Sequence, residues 1–290
     1  MRPNSDPVVA FEAPITYDVG GGQATHAPMV RATVGGVPTK LILDTGSDTH
    51  LLTIELAREA GLEGEPGEPG IDSAGASVPS WALGEVSVRI EEADFDLHGV
   101  VAITAPAPFP GWGIGGILSP QLLHPDGWAV LDLAADRLFL VDAGEADLAD
   151  WLTGRAPTTR LLRLERQPGE GTIQVQAAIY PRDPVVTLLD TGAKRTQFVR
   201  SAVAAAAGGP RVTTGHGVGG SASSGSEVRD QALAVGGTRL PLPALIVADD
   251  ARGPAGLVGM DVLRGTVLAV SADPERRVLW QLPPAPSSPE

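Results

Sequence analysis

Apolar and polar positions alternate along most of the chain in short runs, the period of half-buried strands rather than of helices. Residues 29–34 (MVRATV) alternate, break at Gly35-Gly36-Val37-Pro38, and resume in a strand that ends on Leu43. This hairpin feeds straight into Asp44-Thr45-Gly46-Ser47, after which Leu51 and Leu52 return the chain to apolar character. The succession then recurs. Residues 173–179 (IQVQAAI) alternate, turn through 180–184, and lead by an apolar strand into Asp190-Thr191-Gly192-Ala193. A helical pattern follows each Asp turn, 53–60 (TIELAREA) and 200–207 (RSAVAAAA), and each stops at a glycine, Gly61 or Gly208.

The parallel continues to the ends of both halves. Gly/Ser-rich stretches at 64–80 and 213–226 suit mobile hairpins or loops, and strand pairs follow at 85–90 with 95–103 and at 231–235 with 240–247. Residues 116–123 (GILSPQLL) align with 256–263 (GLVGMDVL), and each leads into a further strand pair, 128–133 with 137–141 and 266–270 with 277–281. From the Asp turns through the first strand pairs the offset stays at 145 or 146: 145 for Ile90 and Val235, 145 for Phe95 and Leu240, 146 for Asp44 and Asp190. The pattern therefore predicts a tandem duplication of one domain. Residues 1–145 form the first lobe with a tail at 1–6, residues 146–157 a linker, and residues 158–290 the second lobe with a tail at 284–290. A short linking helix is expected at 146–153, and frayed Pro/Ser-rich tails at both ends.

Composition sharpens this to an all-β protein with few short helices, because 36 Gly and 26 Pro favour short strands and turns. No cysteine is present, which excludes disulfides, thiol catalysis and cysteine-ligated metals. His26, His50, His98, His124 and His216 lack ligand-like spacing, so no metal or other cofactor is expected. There is no G-x-S-x-G elbow, and the Gly-rich run at 215–220 is not followed by the amphipathic helix of a phosphate loop. The net charge of −14 falls almost wholly on the first half, which reads as a solubility-promoting face or as an attraction for cationic substrates. Nucleic acid is not an expected partner, since phosphate binding needs clustered Lys and Arg. No apolar run approaches the ~20 residues of a membrane span. The start lacks a basic-then-apolar leader, so a cytoplasmic protein is expected if Met1 is the natural start, with export to the periplasm or medium left open. A monomer is expected.

With these motifs in view, the chain resembles the single-chain, two-lobed aspartic peptidases of the pepsin and retropepsin kind. The carriers are the two hydrophobic-hydrophobic-Asp-Thr-Gly-Ser/Ala segments and the two apolar-Gly elements some 70 residues after them. The resemblance covers about residues 7–283, and GLVGMDVL is similar to the bacterial retropepsin-like form. It implies a bilobal acid-protease fold: two homologous β-barrel-like lobes, an active-site cleft between them, and a ψ-shaped strand beneath each Asp loop. It also implies an aspartic endopeptidase acting on a peptide or protein, with Asp44 and Asp190 activating water. The alternative is the same fold kept as a non-catalytic binding or structural module.

The chemistry suits such a pair. Two carboxylates in contact cannot both ionise easily, so one proton is shared and one site holds both a base and an acid. A single Asp-Thr-Gly is more often an Asp turn closing a strand end. Thr45 and Thr191 are expected to hydrogen-bond across to the other lobe's backbone, and Gly46 and Gly192 to permit the turns. The Ser47 hydroxyl is expected to donate to Asp44, a donor that Ala193 cannot supply to Asp190, which would leave the shared proton mainly on Asp190. Flap and cleft candidates are Ser73, Trp81, Phe109, Trp112 and His216. Pepsin-type flaps carry a Tyr, but Tyr17 and Tyr180 lie outside the flap segments, and Trp81 is the candidate replacement. The insertion at 105–113 is either a surface loop tucking in Phe109 and Trp112 or an apolar wall for a substrate side chain.

Overall fold

A computed structural model describes residues 7–71, 77–168, 171–204, 209–216, 222–248 and 253–284. Each half folds into a sheet that curls until its ends meet. In the first lobe the neighbours run Thr16–Gly20, Gln23–Val34, Val37–Leu43, Ile114–Leu118, Leu51–Thr53, Ala93–Ile103, Ser80–Ile90 and Glu65–Pro66. Gln23–Val34 also pairs with Ser80–Ile90, which closes the barrel and leaves few open edges. The second lobe repeats the order: Gln174–Ile179, Val185–Leu189, Gly256–Val258, Gln197–Val199, Thr238–Ala248, Ala222–Val235 and Arg211–His216. Its closure is the pairing of Gln174–Ile179 with Ala222–Val235. Two similar β-rich lobes with four short α-helices among the described residues make up the protein.

The alternation read along the chain sets which face of each strand is buried. Leu41 and Leu43 point into the barrel core with Val30, Val34, Leu52, Val88 and Leu118. Ile42, of the opposite parity, joins a separate cluster with Met29, Phe109, Ile114 and Ile117.

A third sheet joins the halves. Its order is Val8–Pro14, Arg137–Asp142, Trp128–Asp132, Val267–Val270, Val278–Leu282 and Arg160–Leu164, three strands from each half. At its centre Trp128–Asp132 runs antiparallel to Val267–Val270, with Leu131 opposite Leu268. The expected linking helix is real and longer than the pattern suggested, Glu145–Arg155. Rather than floating as a tether, it buries Leu148, Ala149 and Leu152 against Trp128, Val130, Phe139 and Leu279 on this sheet. Arg155 caps the packing by lying over the rings of Phe139 and Trp151 at 4.9 and 4.8 Å.

The two helices expected after the Asp turns differ. Ile54–Glu59 is helical, with Thr53 Oγ1 accepting from the Leu56 N–H at 3.2 Å as an N-cap. In the second lobe the described part of this segment, to Ala204, holds the 3-10 turn Arg200–Ala202, and Val203 is already extended and buried. A β-branched residue drawn into the core ends the turn, where the alanine pattern suggested continuation. Residues 205–208 lie outside the described residues. The hairpin expected at 64–80 is seen as Gly70–Ile71 paired with Ser77–Val78.

The central pair of the joining sheet gives a stability test. Leu131 is fully buried there, and Leu131→Ala should lower the unfolding free energy by about 2–5 kcal/mol in a urea titration.

Candidate active site

The strands Val37–Leu43 and Val185–Leu189 bring Asp44 and Asp190 to the same place between the lobes. Each Asp backbone is held by the crossing strand of its own lobe: the Asp44 N–H donates to Leu118 O at 2.9 Å and the Asp190 N–H to Val258 O at 3.0 Å. The Asp44 Oδ1 accepts from the Gly46 N–H at 2.8 Å, while the Asp190 Oδ1 accepts from Gly192 and Ala193 at 2.8 and 2.9 Å. The two carboxyl groups interact directly, each altering the other's hold on a proton.

Below them the threonines bind across the lobes with two-fold regularity. The Thr45 hydroxyl donates to Leu189 O and the Thr191 hydroxyl to Leu43 O, both at 2.6 Å. Each Oγ1 also accepts from the other threonine's backbone N–H, at 3.1 and 3.2 Å. All four bonds lie in a fully buried setting, where every donor and acceptor must find a partner.

The glycines present their N–H groups to the carboxyls and have a further reason besides. Neither Gly46 nor Gly192 needs a left-handed backbone; each lies under the other lobe's carboxyl. A Cβ at Gly192 would stand 2.5 Å from Asp44 Oδ2, and one at Gly46 2.8 Å from Asp190 Cγ. Only glycine leaves room for the pair.

Burial pushes both carboxyls up from their ordinary range. For Asp190 the charge of Asp44 adds to the same direction. One proton therefore stays with the pair where isolated carboxyls would both be ionised.

The Ser47 expectation is overturned. Its hydroxyl donates to Thr49 O at 2.7 Å, because a short side chain in a turn finds the local carbonyl first. Burial raises both carboxyls, and the asymmetry comes from their mutual effect, because the charge of Asp44 raises Asp190 further whereas Asp190 opposes the rise of Asp44.

Of the cleft candidates, Phe109 is buried among Val19, Met29, Ile42, Ile114 and Ile117, carried there by the short helix Pro108–Trp112. It packs that cluster rather than standing free at a wall. Trp112 packs partly exposed on the same cluster, which shares the strand face of Ile42 and, two residues on, Asp44. Trp81 sits at the base of the first hairpin opposite Ala102, and lines a cavity of about 240 Å³ with Ile54, Ala57, Arg58 and Leu62. His216 ends the strand Arg211–His216, and Ser73 lies outside the described residues.

Several contributors escaped the pattern reading. His26 reaches across the lobes, its Nε2 2.9 Å from Gly192 O, so that nitrogen must carry the donated proton. Burial lowers its affinity for a second proton, with Lys194 adding to this and Gly192 and Asp44 opposing it. The crossing elements also differ between lobes. In the second lobe the Met260 N–H donates to Ala193 O at 2.8 Å. The aligned residue in the first lobe is Pro120, which has no N–H. There the Ser119 hydroxyl and Gln121 Nε2 donate instead to Ser47 O, at 2.8 and 2.9 Å, and Gln121 also donates to Gly171 O of the other half. Ser119 in place of glycine is thus a compensation for the proline beside it. Applied to the crossing elements, an offset of 140 sets Ser119, Pro120 and Gln121 against Gly259, Met260 and Asp261, a difference already visible in the sequence.

A family model described as aspartyl protease matches the chain twice, at residues 30–121 and 175–262. The chain belongs to the aspartyl protease family. Each match spans one aspartyl protease lobe from the strand before the Asp turn to the crossing element after it. A search of curated proteins returns no match. Among the described residues, no group of three or more His, Asp or Glu is gathered to hold a metal, and no helix is long and apolar enough to cross a membrane.

Two outcomes follow from this geometry. Thr45→Val keeps the volume but strands the Leu189 carbonyl and the Thr191 N–H, and should cost about 2–4 kcal/mol by denaturant unfolding. Asp190→Asn should act in the opposite sense. A carboxyl whose folded pKa lies above its unfolded value costs the folded state stability as pH rises through and beyond that unfolded value. The variant should therefore melt higher than wild type at pH 7, and the gain should vanish toward pH 3, as differential scanning calorimetry would show.

Proposed function

We propose that the protein is an aspartic endopeptidase that hydrolyses peptide bonds with a water held between Asp44 and Asp190. The observation that carries this reading is the pair itself: two interacting carboxyls between the lobes, one from each, each pressed on the other lobe's glycine. Family membership supports a peptidase in general terms.

One proton on the pair supplies what uncatalysed amide hydrolysis lacks. The ionised carboxylate takes a proton from water as its oxygen attacks the carbonyl carbon. The protonated carboxyl hydrogen-bonds to the carbonyl oxygen and gives it the proton, forming a neutral gem-diol. Collapse then breaks the C–N bond: the carboxyl that took the water proton gives it to the leaving nitrogen, a gem-diol hydroxyl passes its proton to the other carboxylate as the new carboxylic acid forms, and the pair is back at its starting state with one proton. Asp44 is the base in this scheme, and Asp190, raised further by the charge of Asp44, carries the proton.

An extended peptide would lie along the interlobe cleft and be recognised largely through its main chain. The hairpin of Gly70–Ile71 and Ser77–Val78, with Ile71 77% exposed, would close over it and offer an apolar contact. Trp112, partly exposed on the Asp44 side, would serve as an apolar wall for one side chain, with Phe109 backing it.

Asp44→Asn and Asp190→Asn should each reduce cleavage of a denatured protein to below a few per cent of wild type while near-ultraviolet circular dichroism is retained. Ser47→Ala should leave the acid limb of the kcat/KM–pH profile in place, because its hydroxyl binds Thr49 O and not Asp44. Substantial turnover in either Asn variant would overturn the shared-proton scheme.

A further inference from the structure

We propose that His50 is a positioning residue that holds the Asp44 loop only while its imidazole is neutral, and so gives the first lobe an acid limit that the second lobe lacks. The inference rests in part on the reading of Asp44 as a catalytic group.

His50 is 1% exposed and lies six residues after Asp44. Its Nδ1 is 3.3 Å from the backbone N of Ser119, at the end of the crossing strand Ile114–Leu118. A backbone N–H can only donate, so Nδ1 must keep its lone pair and the ring its Nε2–H tautomer. The same crossing element holds the Asp44 loop twice over. Leu118 O takes the Asp44 N–H at 2.9 Å, and the Ser119 hydroxyl donates to Ser47 O at 2.8 Å. His50 therefore acts on Asp44 through a single neighbouring residue.

The second lobe provides the control. Thr196 stands six residues after Asp190, and its Oγ1 accepts from the Gly259 N–H at 3.2 Å, the aligned bond. That hydroxyl donates in turn to Asp261 Oδ1 at 2.7 Å. A threonine makes this bond at every pH. A histidine loses it on protonation, when Nδ1–H would face the Ser119 N–H and an uncompensated charge would be buried.

Few charged groups lie on the elements around His50. Its own loop carries Asp44 and Asp48, and the neighbouring strand Ala93–Ile103 carries Asp94, Asp96 and His98, all exposed, with Asp94 paired to Arg89 at 2.7 Å and His98 to Glu85 at 3.1 Å. The crossing element from Ile114 to Leu123 carries none. Burial alone lowers His50, to about 4. The sign is fixed by that direction: a folded pKa below the unfolded value of 6.5 means stability is lost as pH falls from 6.5 toward 4.

The experiment compares full-length wild type with His50→Thr, which copies the second lobe, and with His50→Asn, which keeps an acceptor near Nδ1 but does not titrate. Between pH 7 and 4.5 the Tm of wild type should fall by about 5 °C more than that of either variant. Parallel falls would overturn the proposal. In proton–nitrogen correlation spectra of wild type, His50 should remain the neutral Nε2–H tautomer down to about pH 5. Titration near 6.5 would overturn it even if neither variant folds. In peptide cleavage, kcat/KM of the variants should exceed that of wild type severalfold at pH 4.5 and match it at pH 7; equal acid profiles would overturn the link to Asp44. If the melting and spectral results hold while wild type cleaves no peptide at any pH, the reading of the protein as a peptidase fails and the acid limit stands.

Discussion

Two carboxyl groups held against each other away from water repel unless a proton is shared, and a scaffold that brings them together must resist that repulsion permanently. Much of this architecture serves that constraint. The threonine bonds tie each Asp loop to the main chain of the opposite strand, so neither carboxyl can retreat without breaking buried hydrogen bonds on both sides. The glycines let the groups approach, and the loop N–H groups stabilise whatever negative charge remains. Further out, the joining sheet of three strands from each half prevents the lobes from drifting apart. The helix between the halves serves the same end by packing on that sheet.

What was legible in the chain was whatever the backbone must do. Alternation marked the hairpins, an Asp after an apolar strand marked a group at the edge of a core, and a nearly constant offset marked two copies of one unit. Those features have few alternative solutions once the apolar faces are buried. What was not legible was the direction of short polar side chains. Ser47 had two acceptors within reach, the carboxylate beside it and its own loop's carbonyl, and nothing in the order of residues chooses between them. Phe109 read equally as wall or filler because burial depends on a neighbouring cluster assembled from distant strands. The alanines after Arg200 have helical propensity but no large apolar face, and the burial of Val203 outweighed them. His26 and His50 have no metal-ligand spacing, but each stands 146 residues before a threonine, Thr172 and Thr196.

The two lobes are alike in backbone and unlike in the polar details that hold it. The second anchors its Asp loop with a backbone N–H at Met260, a carboxylate at Asp261 and a hydroxyl at Thr196. The first uses a hydroxyl at Ser119, an amide at Gln121 and an imidazole at His50 for comparable duties. A single chain can hold two such solutions because each lobe's residues are its own, whereas a protein built from two identical copies would have to use one solution twice.

Pro120 shows how narrow the route between the solutions is. A proline introduced where the neighbour is still glycine and the next residue is not yet glutamine would leave the Ser47 carbonyl buried without a donor beside Asp44. The serine or the glutamine, by contrast, can arrive first with the backbone donor still in place. Mutational history at this corner therefore has a direction: the supporting side chain is the permissive change and the proline the dependent one. Once the proline is present, at least one of Ser119 and Gln121 must stay, and the second of them can be lost only after the proline.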